Sequence, residues 1–171
     1  LTLAAALLAG GPAAAQGVAY VSSEKDNALA VVDLKTLTVT ATLATCKRPR
    51  HMQLLPGGKQ MAVACAESGQ ADVIDLATRQ SVRKLPLGDD PEAFDLSPDG
   101  NRVAVELPAG KLTVFDVDSK EKLLDGIDPF VGSPSPRAGL AGVKFVGSPD
   151  VIAAVDKAGA VDLWDVKTKA R

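Results

Sequence analysis

A four-residue pattern recurs four times along this chain of 171 residues: an apolar residue, any residue, aspartate and another apolar residue. It reads VVDL, VIDL, VFDV and LWDV, and its aspartates are Asp33, Asp75, Asp116 and Asp165, spaced by 42, 41 and 49 residues. A period of about 40 to 45 residues that carries four short strands is the length of one β-propeller blade. Because each aspartate occupies the same place in its repeat, we expect all four to bond the backbone of a turn and not to act in catalysis.

Each period also contains four short segments of alternating polarity, separated by turn residues. In the best-defined repeat these segments are 50–55, 60–66, 71–76 and 81–87, and in the next they are 92–97, 102–107, 111–117 and 120–127. Alternation of apolar and polar residues within segments that are bounded by Gly, Pro, Asn or Asp is typical of strands and hairpins. We call the four strands of a blade a, b, c and d, from the centre of the propeller outward, and predict an all-β fold of four-stranded antiparallel blades.

The repeat divides residues 16–171 into blades at about 18–45, 46–88, 89–127 and 128–171. The first blade begins at a b-type strand, and the last stops in the turn after its c strand, at residues 167–171. The pattern therefore predicts fourteen strands, or about 3.5 blades. Since propellers have about four to eight blades, we expect a fragment of a seven- or eight-bladed ring. Two chains that complete one ring together are the alternative.

The first fifteen residues have the composition of an export signal. The stretch LTLAAALLAGGPAAAQ contains no charge, and its small residues Ala13, Ala14 and Ala15 form an A-x-A cleavage site. We interpret residues 1–15 as a signal peptide with a truncated basic region, which predicts a periplasmic or secreted protein; the alternative is an alanine-rich disordered leader. The apolar run is too short for a membrane span.

Charge and cysteine content exclude several classes of partner. The formal net charge is −2, which favours neither nucleic acid nor an anionic membrane. The two cysteines, Cys46 and Cys65, form no CxxC or Cys/His cluster with the single histidine, His51. The sequence therefore predicts no metal site and no cofactor.

Several stretches resemble a known repeat family. AYVSSEKDNALAVVDLKTLTVTATL, RPRHMQLLPGGKQMAV and DPEAFDLSPDGNRVAVELPAGKLTVFDV are similar to YVTN-type β-propeller repeats. The stretch CKRPRHMQLLPGGKQMAVACAESGQADVIDLAT looks most like exported propellers associated with pyrroloquinoline-quinone-dependent alcohol catabolism. The resemblance covers about residues 18–117 well. It implies a periplasmic binding or scaffold role, in some cases beside quinoprotein or cytochrome systems.

One face of the blades collects most of the chemically interesting residues. The d–a and b–c connections share this face, which we call the loop face, and function in such folds tends to sit on loops held by a rigid scaffold. A Pro-, Gly- and Ser-rich insertion at 128–142 falls there too. We expect a protein or small-molecule ligand on this face, and the candidate binding residues are Arg48, Arg50, His51, Asp89, Asp90, Glu92 and Arg137.

Arg48 and Arg50 flank Pro49 and have two interpretations. Their guanidinium groups could hold a carboxylate or phosphate by forked hydrogen bonds. Alternatively, this basic loop pairs with the acidic loop of the next blade, which carries Asp89, Asp90 and Glu92. For His51, a structural role is favoured over a ligand or acid–base role.

Hairpin geometry brings Cys46 and Cys65 within reach of each other. Strands a and b of the second blade are joined by a turn at Gly57 and Gly58, so that Cys65 is predicted to lie opposite Arg50. Cys46 lies four residues before that position, and a bend of the loop would bring the two Cα atoms within the roughly 7 Å that a disulfide requires. The alternative is a buried Cys65 and an exposed Cys46, both free.

The sequence favours a periplasmic or secreted binding or scaffold module without catalysis. The alternative is a fragment of a propeller enzyme, lactonase-like or quinoprotein-like, whose catalytic residues lie in another part of the protein. No Ser/His/Asp set or metal-ligand spacing is visible in this stretch of sequence.

Export makes a testable prediction about the N-terminus. With the native start of the gene restored, N-terminal sequencing of the exported product should begin at Gln16 or within a residue or two of it. A cytoplasmic product that retains residues 1–15 would contradict this.

Overall fold

The chain forms four antiparallel β-sheets that follow one another along the sequence. The structure is a computed structural model that describes residues 17–132 and 139–171; the predicted leader at 1–15 and the candidate residue Arg137 lie outside this part. Within it, fourteen strands form sheets of three, four, four and three strands. The predicted all-β blade fold and the predicted distribution of strands are therefore confirmed, and the described strands do not close a ring.

The strands of the first sheet are β1 (Val18–Ser23), β2 (Ala28–Asp33) and β3 (Thr38–Ala44), and those of the second are β4 (Pro49–Leu54), β5 (Gln60–Cys65), β6 (Gln70–Asp75) and β7 (Gln80–Pro86). The third sheet contains β8 (Ala93–Leu96), β9 (Arg102–Leu107), β10 (Lys111–Asp116) and β11 (Lys122–Ile127). The fourth contains β12 (Leu140–Phe145), β13 (Val151–Asp156) and β14 (Val161–Asp165). Two single 3₁₀ turns, Ala66–Ser68 and Pro108–Gly110, lie in b–c connections.

The sheets pack face to face, and each interface has its own apolar core. Met61, Val63 and Cys65 of β5 pack toward the first blade, against Leu29 and Val31. The alternate residues of β5 point the other way and belong to the core between the second and third blades, with members Ala62, Ala64, Phe94, Val103 and Val105. The third interface continues the series with Ala104, Leu112, Val114, Phe145 and Ile152. A strand buried on both faces explains why β5 and β9 are almost uniformly apolar.

The register between β4 and β5 differs by one residue from the prediction. Met52, Gln53 and Leu54 pair with Val63, Ala62 and Met61, as the turn at Gly57 and Gly58 implies. A β-bulge then intervenes, and Cys65 lies opposite Pro49 instead of Arg50. The bulge adds a residue to one strand only, and an alternating sequence pattern does not reveal where such a residue is inserted.

The recurrent aspartates organise the c–d turns. Asp33 Oδ1 accepts hydrogen bonds from the backbone N–H groups of Lys35 (2.8 Å) and Thr36 (2.7 Å). Asp75 and Asp116 make the same two bonds, and the Asp165 carboxylate accepts one from Thr168 N–H at 2.7 Å. The fourth residue after each aspartate has a positive φ, between 56° and 63° at Leu37, Arg79, Lys120 and Lys169. Four identical turns thus reverse the chain at the same place in every blade.

A buried carboxylate joins three blades near their inner strands. Asp95, on β8, is 2% exposed and accepts hydrogen bonds from Gln53 Nε2 (3.0 Å) on β4 and from Phe145 N–H (2.7 Å) on β12. Lys144 Nζ lies 2.5 Å from the same carboxylate. Gln53, Asp95 and Lys144 occupy corresponding places on the three inner strands. The Asp95 carboxylate therefore pairs with the Lys144 ammonium group of the fourth blade and accepts a hydrogen bond from the Gln53 amide of the second.

The helical content of the described residues is limited to the two short turns named above, and no helix among these residues is long and apolar enough to cross a membrane.

Removal of the Asp95 carboxylate should destabilise the fold. Asp95→Ala leaves the buried Phe145 N–H and the Gln53 amide without their acceptor, and we expect the free energy of unfolding to fall by about 2 to 3 kcal/mol. Denaturant unfolding of the full chain measures this. Asp118→Asn, at an exposed turn position, is the matched control and should change stability by less than about 0.5 kcal/mol. Equal effects of the two substitutions would contradict a structural role for Asp95.

Candidate functional site

The loop face brings four of the predicted binding residues into one ion-pair cluster. Arg48 Nε lies 3.2 Å from Glu24 Oε2, and Arg48 NH1 lies 3.4 Å from Asp90 Oδ1. Arg50 pairs closely with Glu92, and its Nε lies 3.7 Å from Glu24 Oε1. The cluster therefore connects the b–c loop of the first blade with the d–a loops of the second and third.

The repeat explains why these charges meet. Arg48 and Asp90 are 42 residues apart, as are Arg50 and Glu92, so each pair occupies the same place in consecutive blades. Arg48 and Asp90 even share a left-handed backbone conformation, with φ of 59° and 46°. Consecutive d–a loops therefore run side by side, and a basic loop beside an acidic one forms ion pairs.

The electrostatics favour the second interpretation of the arginines. The pKa of Arg50 is raised, chiefly because its guanidinium donates a hydrogen bond to Glu92. Both arginines already have carboxylate partners from neighbouring blades. They hold the loop face together, and an external carboxylate or phosphate would have to displace these partners. The buried Nε–H of Arg50 has no hydrogen-bond acceptor among the described residues.

His51 and Asp89 lie apart from this cluster. The His51 ring packs edge-on against Phe94 of the next blade, with ring centroids 5.1 Å apart and an interplanar angle of 83°. Burial lowers the pKa of His51 and outweighs the opposing effect of Asp95. The imidazole thus packs between two blades, while Asp89 is exposed to solvent.

A cavity of about 510 Å³ opens on the loop face between the third and fourth blades. Its charged lining consists of Glu92 and Glu106 from the third blade and Lys157 from the b–c connection of the fourth. The 3₁₀ turn Pro108–Gly110 and the apolar side chains Leu107 and Leu140 complete the lining. This volume lies within the range of about 300 to 1,000 Å³ that is typical of small-molecule sites.

Glu106 is the functional candidate that the sequence did not single out. It is the penultimate residue of strand β9 and is half-buried. Burial raises the pKa of its carboxyl group above the usual 4.5, the negative charge of Glu92 raises it further, and Lys157 opposes this. The sequence signal was a single carboxylate near the end of an otherwise apolar strand segment, Val103–Leu107, one residue before a b–c loop. A half-buried acid of this kind in a cavity is a typical sign of a functional site.

Glu106 carries no direct partner. Within residues 17–132 and 139–171, its side chain makes neither a hydrogen bond nor an ion pair. Glu92, by contrast, is held by Arg50, so the two acids of the cavity are not equivalent. The cavity therefore offers one available carboxylate and one ammonium group, Lys157, in a largely polar lining to which Leu107 adds an apolar surface.

The two cysteines form a disulfide in the structure, with Cα atoms 5.7 Å apart. Cys65 is fully buried, and the loop before β4 bends back so that Cys46 reaches it. The buried Asp72 carboxylate accepts a hydrogen bond from Cys46 N–H at 3.0 Å and so helps to hold this bend. Both thiol sulfurs and Asp72 lie close together, but sulfurs that are joined to each other are not thiolate ligands for a metal.

Comparison with known proteins supports the fold and no more. No protein-family model and no curated protein matches the chain. Hydrazine synthase of Kuenenia stuttgartiensis, a solved structure, superimposes with a TM-score of 0.63 at 24% sequence identity, over 89% of this chain and 44% of that one. The chain thus spans less than half of that protein. Because 1054 chains of solved structures match, the likeness identifies a widespread β-propeller-type fold and carries no activity with it.

The disulfide makes a direct prediction. Thiol titration of denatured, unreduced full chain from an oxidising compartment should find no free thiol, and reduction should lower the free energy of unfolding by about 3 kcal/mol, because the bridge closes a loop of about 20 residues. A Cys46→Ser, Cys65→Ser double variant is the control: it should have the lower stability from the start and should not respond to reductant. Two titratable thiols per chain would exclude the bridge.

Proposed function

We propose that this protein is an exported binding module whose ligand site is the cavity between the third and fourth blades on the loop face. The observation that carries the proposal is the side chain of Glu106, a half-buried carboxylate without a direct partner that lines a cavity of ligand size. The Glu106 oxygens still reach solvent, but partial burial raises the pKa of the carboxyl group, so its charged form is less well solvated than that of a fully exposed glutamate. A ligand that donates hydrogen bonds to Glu106 would stabilise this charged form.

The rigid surroundings of the cavity support a binding role. Its walls come from the end of β9, the Pro108–Gly110 turn, the b–c connection of the fourth blade and the residues that lead into β12, and the neighbouring cluster of Arg50, Glu92 and Glu24 ties the loop face to the first and second blades. A site held on both sides by packed sheets is formed before its ligand arrives, which lowers the entropic cost of binding. The apolar-cored blades thus act as the scaffold, and the loops act as the recognition surface.

The cellular setting that we propose follows from the leader and the resemblance to YVTN-type repeats. A periplasmic or secreted location agrees with the signal-like residues 1–15 and with a disulfide between Cys46 and Cys65, since disulfides persist in oxidising compartments. Within that setting, the resemblance favours an accessory role beside a quinoprotein or cytochrome system of alcohol oxidation. The second candidate, part of a propeller enzyme, has no specific contact in its favour among the described residues.

A ligand screen tests the binding role. Saturation-transfer NMR of the full chain against a library of small polar compounds should give ligands whose affinity falls by about tenfold or more in Glu106→Gln, since a hydrogen bond to a charged group contributes about 1.5 to 3 kcal/mol. The matched control is Glu121→Gln, an exposed glutamate next to a c–d turn, which should bind these ligands like the unaltered protein. The proposal fails if no ligand is found, or if every ligand binds equally well to both variants.

A further inference from the structure

We propose that the cavity between the third and fourth blades selects a small zwitterion, with a protonated amine at Glu106 and a carboxylate at Lys157. This inference rests on the proposed function and specifies the chemical class of the ligand. The juxtaposition that supports it is one available carboxylate and one available ammonium group in the lining of a single cavity, with apolar side chains in the same lining.

Glu106 is the amine-binding group. Its carboxylate is partly removed from water and has no donor among the described residues. A protonated amine supplies up to three N–H donors together with a positive charge, and charge-assisted hydrogen bonds of this kind are roughly twice as strong as neutral ones. A hydroxyl group would satisfy the acceptor but would leave its charge uncompensated.

The second acid of the cavity does not change this assignment. Glu92 is already paired with Arg50, so its charge adds to the negative potential around Glu106 without offering an unoccupied ligand group. A calcium ion takes about six to eight oxygen ligands, and one available carboxylate is a poor match for that requirement. An organic cation needs only one.

Lys157 makes the site selective for a ligand with a second, negative charge. Its side chain is exposed, lines the same cavity and acts electrostatically on Glu106, but forms no direct ion pair with the described residues. A simple amine would meet repulsion from this ammonium group, whereas the carboxylate of a zwitterion would pair with it. Leu107, which is half-buried, lines the space as well and offers an apolar contact to a short aliphatic chain between the two charges.

Isothermal titration calorimetry with the full chain tests the inference. The probes are the ω-amino acids from glycine to 6-aminohexanoate, each compared with the alkylamine and the alkyl carboxylate of the same chain length. We expect one length to bind best, and that ω-amino acid to bind about tenfold or more tightly than either of its single-charge analogues.

Two substitutions separate the two ends of the ligand. Glu106→Gln should weaken the ω-amino acid and the alkylamine by about tenfold or more, and Lys157→Gln should weaken the ω-amino acid but leave the alkylamine unchanged or tighter. Glu121→Gln and Lys59→Gln, which alter exposed residues outside the cavity lining, are the matched controls and should bind like the unaltered protein. Circular dichroism and thermal unfolding establish that each variant is folded; Glu106→Asp, which shortens the reach of the carboxylate, serves if the glutamine variant is not.

Binding should also depend on pH with a defined sign. The groups that act on Glu106 are Glu92, which raises its pKa, and Lys157, which lowers it. Since the amine binds the ionised carboxylate, affinity should be constant near neutral pH and should fall as the pH decreases through the raised pKa of Glu106. Glu106→Gln should abolish this fall.

The outcomes distinguish the inference from the proposed function. Equal affinity for the ω-amino acid and its alkylamine, or binding that Lys157→Gln does not alter, overturns the zwitterion. If none of these probes binds but other ligands depend on Glu106, the binding function stands and the ligand class is wrong. If no ligand depends on Glu106, both proposals fail.

Discussion

The packing of one sheet against the next is the interaction on which the rest of this structure depends. The b strands of the second and third blades, β5 and β9, are buried on both faces, and both fit between their neighbouring blades in a similar way. They present larger side chains, such as Val63 and Val103, to the preceding blade and alanines, Ala62 and Ala104, to the following one. Valines from one blade and alanines from the next thus share the core between the second and third blades, and such combinations of large and small side chains favour close packing. A larger residue at Ala62, which is fully buried, would push the second and third blades apart and would disturb the contacts between their loops.

The same repetition explains how much of the fold the sequence predicts. The spacing of Asp33, Asp75 and Asp116 sets the blade length, and alternation within each period sets the strands, because both depend on local geometry that repeats. One of the two sequence-based interpretations of Arg48 and Arg50 also predicts that their loop pairs with the acidic loop of Asp90 and Glu92. Residues one period apart lie side by side in adjacent blades, which explains this pairing. The repeat spacing does not predict an irregularity within a single blade, such as the bulge that places Cys65 opposite Pro49.

The candidate site was less predictable for a physical reason. The sequence suggested the loop face and named Glu92 among the candidate binding residues, but it gave Glu106 no role of its own. Glu106 matters because of what it does not touch, and an unpaired side chain is a property of three-dimensional surroundings. Its cavity is formed by β9, the Pro108–Gly110 turn and segments of the fourth blade, which lies beyond the longest spacing in the repeat. A strict period cannot place residues across such a break.

The distribution of satisfied and unsatisfied carboxylates also separates the two faces of the blades. On the face of the c–d turns, Asp33, Asp75 and Asp116 each accept hydrogen bonds from two backbone N–H groups. The bond from the N–H group three residues after the aspartate is the largest cause of the lowered pKa of each carboxyl group. These acids are stabilised in the charged form by the turn itself and have little to gain from a ligand. On the loop face the raised pKa of Glu106 has the opposite cause, burial without a donor. Glu24, Asp90 and Glu92 on the same face are held by arginines, so Glu106 is the carboxylate of the cavity that neither a turn nor an arginine already holds among the described residues.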